Sequence, residues 1–154
     1  MEMETTAASH RPRNRHVLVV DDDRLVLEVV AAQMEAAGYS VSTAPSGAMA
    51  LTMLAEHPTI IMLVSDLSMP GMDGIQLIQQ AQRIRPNLPA ILLTGLADMG
   101  IGGAVGRVIG GPFAVLNKPI NALQLAERVE KLLLHAATVA SNNASPSGQI
   151  EATI

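Results

Sequence analysis

The sequence predicts a three-layer α/β sandwich around a five-stranded parallel sheet, and three observations predict it. Five short β-branched runs alternate with amphipathic segments, and most of those runs are apolar almost throughout. The chain is also 49% apolar and only 16% charged over 154 residues, enough for one domain with a sizeable core.

The first run, His16 to Val20, is nearly all apolar and is followed by Val26, Val30 and Met34 at helical spacing. The second, Tyr39 to Ala44, alternates as an edge strand does, and Leu51 and Leu54 mark the helix behind it. The third and fourth, Ile60 to Ser65 and Ala90 to Thr94, read as strands covered by helices on both faces, with Ile75 and Ile78 on the helix between them. Residues 100 to 111 hold six glycines, each costing a helix interior about 1 kcal/mol relative to alanine, so any helix there is expected to be short and mobile. The fifth strand, Phe113 to Asn117, leads to Asn121 and Gln124 as a capping pair and then to a stripe of Leu125, Val129, Leu132, Leu133 and Ala136. Residues 1–15 and 137–154 lack this periodicity and are expected to be mobile tails around a domain spanning 16–136.

A net charge of −4 offers no general attraction to nucleic acid or an anionic membrane. The absence of cysteine excludes disulfides, thiol nucleophiles and thiolate metal sites. The longest wholly apolar run, Ile60 to Val64, is far too short to span a bilayer, and a cytoplasmic protein is expected.

Ligands of open parallel sheets bind beyond the carboxyl ends of the strands. Those ends carry Asp21-Asp22-Asp23, Ser65-Asp66, Thr94-Gly95 and Asn117-Lys118-Pro119. Singly, Asp23 has a plain reading as a helix cap, Thr94 as a strand-end hydroxyl and Lys118 as a surface charge. Together they form a coherent set. Carboxylates on neighbouring strands repel unless a cation or proton intervenes. Mg²⁺ resolves the conflict with few protein ligands and several waters, held directly by Asp22 and Asp66 and through water by Asp21. Asp66 then keeps an oxygen free to attack phosphorus, while Lys118 and Thr94 neutralise and hydrogen-bond the phosphoryl oxygens.

With these motifs the chain resembles the receiver domain of two-component response regulators over residues 16–136. The resemblance is carried by Val-Leu-Val-Val-Asp21-Asp22-Asp23, Ser65-Asp66-Leu-Ser-Met-Pro70-Gly-Met-Asp73-Gly74, Ile-Leu-Leu-Thr94-Gly95 and Val-Leu-Asn-Lys118-Pro119. It implies a doubly wound, flavodoxin-like sheet of order 2-1-3-4-5. It further implies Asp66 as phosphoacceptor, Asp21, Asp22, Asp66 and the Ser68 backbone carbonyl as Mg²⁺ ligands, Thr94 and Lys118 as phosphoryl sensors, and a cis Lys118-Pro119 bond. The implied phosphodonor is a histidine kinase or a histidine phosphotransfer protein.

One position departs from the family's usual pattern, and two variable positions lie near the site. Receivers generally carry an aromatic residue three positions before the lysine, where this chain has Val115. Phe113, of the same strand parity, or the glycine-rich fourth connection is expected to move in its place. Ser68 and Leu96 occupy the positions that control access of hydrolytic water, and the bulk of Leu96 implies a long-lived phosphoryl group.

The function expected is therefore a stand-alone response regulator that catalyses only its own phosphorylation and dephosphorylation, and that signals by docking to an output protein. A receiver module of a hybrid histidine kinase and a phosphate sink are alternatives within the same chemistry. A haloacid-dehalogenase-like phosphatase, with Asp21 as nucleophile and Asp23 as acid, is the remote one, since it leaves Asp66 and its turn without a role.

Overall fold

Strand and helix alternate along the chain as the hydrophobic pattern requires. The computed structural model describes residues 15–95 and 102–144. In order they form β1 (His16–Val20), α1 (Arg24–Ala36), β2 (Ser40–Ala44), α2 (Gly47–Glu56), β3 (Ile60–Asp66), α3 (Gly74–Ile84), β4 (Ala90–Thr94), α4 (Gly102–Val108), β5 (Phe113–Asn117) and α5 (Ala122–Ala144). The sheet is parallel throughout, in the order β2-β1-β3-β4-β5. β2 lies at an edge, as its alternation anticipates.

Side-chain alternation along the strands divides the core into two layers. Leu18, Val20, Leu63 and Leu92 face Ala50 and Leu54 of α2, Leu77 and Ile78 of α3, and Val105 of α4. Val17, Val19, Met62, Val64, Ile91 and Leu93 face Leu27, Val30 and Met34 of α1 and Leu125, Val129 and Leu132 of α5. With both faces covered, β4 is buried at every position.

Caps terminate these helices where the sequence supplies them. Asp23 accepts from the Leu25 and Val26 amides, Ser46 from Met49, and Asn121 from Gln124. Asp73 and Gln76 form a reciprocal capping box on α3. The glycine-rich fourth connection yields a helix of only seven residues, in keeping with its composition. Two buried or half-buried polar side chains bind the loops at the far end of the sheet. Arg85 donates to the carbonyls of Leu54 and His57 at 2.7 Å and to that of Ile60. Gln82 donates to Leu88 and Pro112 and accepts from the Gly111 amide.

The structure differs from the sequence reading at both domain boundaries. Residues 137–144, assigned to a tail, continue α5, because the run Ala136-Ala-Thr-Val-Ala has no breaker. Arg15, assigned to the leader, joins the fold: its carbonyl accepts from Ser40 and its guanidinium pairs with Glu130 of α5 at 2.9 Å. Among the described residues no helix is long and apolar enough to cross a membrane.

Candidate functional site

In a parallel sheet all strands point their carboxyl ends the same way, so residues distant in sequence meet along one edge. Asp66 is the last residue of β3, Thr94 the last of β4 and Asn117 the last of β5. Asp21 follows β1 directly, and its amide extends the ladder to the Ala44 carbonyl. The register places Val20 beside Ser65, Asp66 beside Leu93 and Thr94 beside Asn117. Asp21, Asp66 and Thr94 are buried at 3%, 6% and 1% exposure, whereas Asp22 faces solvent.

The three acidic residues named by the sequence converge. One carboxylate oxygen from each of Asp21, Asp22 and Asp66 lies within 4.8 Å of the others. Lys118 is the cation set among them, with Nζ 2.6 Å from Asp66 Oδ1 and 3.6 Å from Asp21 Oδ2. Asp21 Oδ1 accepts from the Asp23 amide at 2.8 Å, while its buried Oδ2 makes no hydrogen bond. Burial, and after it the charge of Asp66, pushes the Asp21 carboxyl above its ordinary range, and the Asp23 amide and Lys118 offset this only in part. Burial works to lower the Lys118 ammonium, but the hydrogen bond and charge of Asp66, helped by Asp21, outweigh it and hold Lys118 above the usual lysine value.

Three carboxylates against one ammonium leave negative charge at a mostly buried edge. An all-oxygen donor set with an orphaned buried carboxylate oxygen fits a hard divalent cation. Asp23, by contrast, caps α1, its Oδ1 accepting from the Leu25 and Val26 amides.

The loop after β3 is shaped around Asp66. Gly71 takes a left-handed φ of +79° that a side chain would disfavour. The Gly74 amide donates to the Leu67 carbonyl at 2.9 Å, and a Cβ on Gly74 would strike the Asp66 carbonyl oxygen and come within 2.7 Å of Leu92 Cδ1. Ser68 sits exposed in this loop. The Lys118-Pro119 peptide is cis. Val115 and Phe113 are both half-buried on the α2–α4 face of the sheet, and the Phe113 ring reaches to 3.7 Å from where a Gly106 Cβ would stand on α4. Leu96 lies outside the described residues.

Thr94 also stands at this edge, but its hydroxyl donates to Asn117 Oδ1 at 2.8 Å, with the Leu116 carbonyl at 3.5 Å. The sequence reading assigned Asn117 no role. The signal for it is the strand register, which sets it beside Thr94, and only pairing of β4 with β5 supplies that. Beside the acidic edge, Leu25, Val26, Val29, Val30, Pro119 and Ile120 line a shallow hollow of about 340 Å³ next to Lys118. Leu25 and Val29 are 73% and 55% exposed there.

Comparison with known proteins gives a consistent result. The family described as the response regulator receiver domain matches residues 17–130. The transcriptional regulatory protein GlrR of Escherichia coli is 37% identical over 129 residues, which is 84% of this chain and 28% of GlrR. The chain thus spans about a quarter of the length of the relatives of that type, including the DNA-binding transcriptional regulator NtrC. The receiver protein CpdR of Brucella abortus is 32% identical over 122 residues, covering 79% of this chain and 99% of CpdR. Among solved structures, a receiver domain protein from Clostridium thermocellum superposes with a TM-score of 0.73 at 26% identity, covering 81% of this chain and 98% of its own. The chemotaxis protein CheY4 of Vibrio cholerae gives 0.70 at 25% identity, over 77% of this chain and 98% of its own.

Proposed function

Because the chain belongs to the response regulator receiver family, we propose that it is a phosphoryl-accepting switch in which Asp66 takes the phosphoryl group. The observation that carries this reading is the 2.6 Å contact between Lys118 Nζ and Asp66 Oδ1 inside a cluster of three carboxylates. A lysine so placed offsets the charge of the attacking carboxylate and of the incoming phosphoryl oxygens. A carboxylate oxygen of Asp66 forms the new bond to phosphorus as the bond from phosphorus to the donor's imidazole nitrogen or acyl oxygen breaks. Lys118 then pairs with the phosphoryl oxygens in place of the free carboxylate, and the Thr94 hydroxyl is the donor on the β4 side.

Asp21, Asp22, Asp66 and the Ser68 carbonyl are the residues that would hold Mg²⁺. When bound, the ion supplies the positive charge that lets several carboxylates and a phosphoryl group share one site. The only reaction assigned to the chain is its own phosphorylation and dephosphorylation.

The donor we infer is a histidine kinase or a histidine phosphotransfer protein. The exposed Leu25 and Val29 and the hollow beside Lys118 offer such a protein an apolar foothold next to the acidic edge. The output partner is a protein that distinguishes the phosphorylated state. The phosphatase reading is not favoured, since the chain belongs to the receiver family and that reading leaves Asp66 and its turn without a role.

Intact-mass measurement after incubation with Mg²⁺ and acetyl phosphate tests the proposal. The wild type is expected to gain one phosphoryl adduct, lost in Asp66→Asn and on chelation. No adduct in the wild type would overturn it, as would an adduct that survives in Asp66→Asn and disappears in Asp21→Asn.

A further inference from the structure

A hydroxyl carries one proton, and in this structure the Thr94 proton is already committed. Thr94 Oγ1 donates to Asn117 Oδ1 at 2.8 Å, across a pair of residues that the β4–β5 register sets side by side. The Lys118 amide donates to the Thr94 carbonyl at 2.7 Å, so the strand end that carries Asn117 is pinned against Thr94 by the backbone as well. Thr94 is buried and Asn117 is exposed, so the hydroxyl meets an acceptor belonging to the protein, and the Leu116 carbonyl, at 3.5 Å, is the more distant alternative among the described residues.

From this geometry we propose that Asn117 is a positioning residue that competes with the phosphoryl group for the Thr94 proton, and so sets the threshold of the switch. The inference rests on the reading of Asp66 as phosphoacceptor. With the proton given to Asn117, Thr94 cannot donate to a phosphoryl oxygen. Turning it towards Asp66 breaks one hydrogen bond before another is made. Position 115 is valine, so no ring stands at that place on β5, and the carboxamide two residues on holds the threonine by hydrogen bonding. A neutral hydrogen bond at a partly solvated position biases an equilibrium by about two- to tenfold. That is enough to tune a switch and too little to lock it.

The test is a titration of the full chain with beryllofluoride in the presence of Mg²⁺, followed by the NMR signal of the Lys118 amide. Wild type, Asn117→Ala, Thr94→Ala and the double variant are compared. Asn117→Ala is expected to lower the half-saturating beryllofluoride concentration about two- to tenfold when Thr94 is present and to leave it unchanged when Thr94 is alanine. The Thr94 side-chain couplings of the free protein should also move from a single rotamer towards averaging in Asn117→Ala. An equal effect in both Thr94 backgrounds, or saturable binding with no effect of Asn117→Ala, overturns the inference alone. No saturable shift in the wild type overturns it together with the assignment of Asp66.

Discussion

Asp21→Asn should stabilise the metal-free protein and remove most of its stabilisation by Mg²⁺. Asp21 is 3% exposed, with oxygens of Asp66 and Asp22 within 4.8 Å and Lys118 3.6 Å away. At an effective dielectric constant of about 20, a repulsion at that separation is worth about 3–4 kcal/mol and the attraction to Lys118 about 4–5 kcal/mol. Solvent screens most of the share of exposed Asp22, so the Coulomb terms nearly cancel and desolvation leaves a net cost of about 1–2 kcal/mol. Asparagine removes that cost and keeps the oxygen that accepts from the Asp23 amide. In a domain of this size the melting temperature should rise by about 4–8 °C without metal. Mg²⁺ at ten times its Kd should add about 1.4 kcal/mol to the wild type and clearly less to the variant. The pH dependence follows from the sign of the Asp21 shift. A carboxyl raised on folding costs stability as pH climbs from its unfolded value, near 3.8, through its folded value. The advantage of the variant should therefore be full at neutral pH and shrink as pH falls towards about 4. Thermal unfolding followed by circular dichroism, with and without Mg²⁺, provides the measurement. A metal-free variant that melts below the wild type, or an equal Mg²⁺ increment in both, would refute the reasoning.

Further outcomes follow from the same geometry. Arg85→Ala should lower stability by about 2–3 kcal/mol in urea unfolding, because three carbonyls at the end of α2 and the start of β3 lose a charged donor while solvent replaces part of it. Gly74→Ala should cost about 1–3 kcal/mol through overpacking and slow phosphorylation by acetyl phosphate, with amide shifts centred on Asp66; a silent spectrum would contradict the close approach of α3 to β3. Tyr39, whose hydroxyl donates to Glu130, is pushed up to about 12 by burial and by that carboxylate, so ultraviolet titration of the native protein should find its phenol ionising well above pH 10. Stability tied to this tyrosine should be intact below pH 10 and lost as pH rises from there towards 12, a loss that Tyr39→Phe abolishes.

What the sequence alone determined is what depends on periodicity and on local chemistry. The apolar runs fixed β1, β3 and β4 because a strand buried on both faces tolerates almost nothing else, and Asp23 and Asn121 marked helix starts because caps act within three residues. The acidic edge was legible for a related reason: in a parallel sheet the residue that ends each strand is brought to one side, so Asp21, Asp66, Thr94 and Lys118 could be grouped without coordinates. The end of α5 was not legible, since a polar, alanine-rich stretch supports helix or tail equally well until the preceding turns nucleate it. The roles of Arg85, Gln82 and Asn117 are not written in the local sequence for a different reason. Each acts on backbone or hydroxyl groups supplied by other segments, at distances in sequence that no local pattern reports. Side chains whose partners are set by their own strand or helix are written in the sequence, whereas those whose partners arrive through strand pairing acquire their role only when the chain is folded.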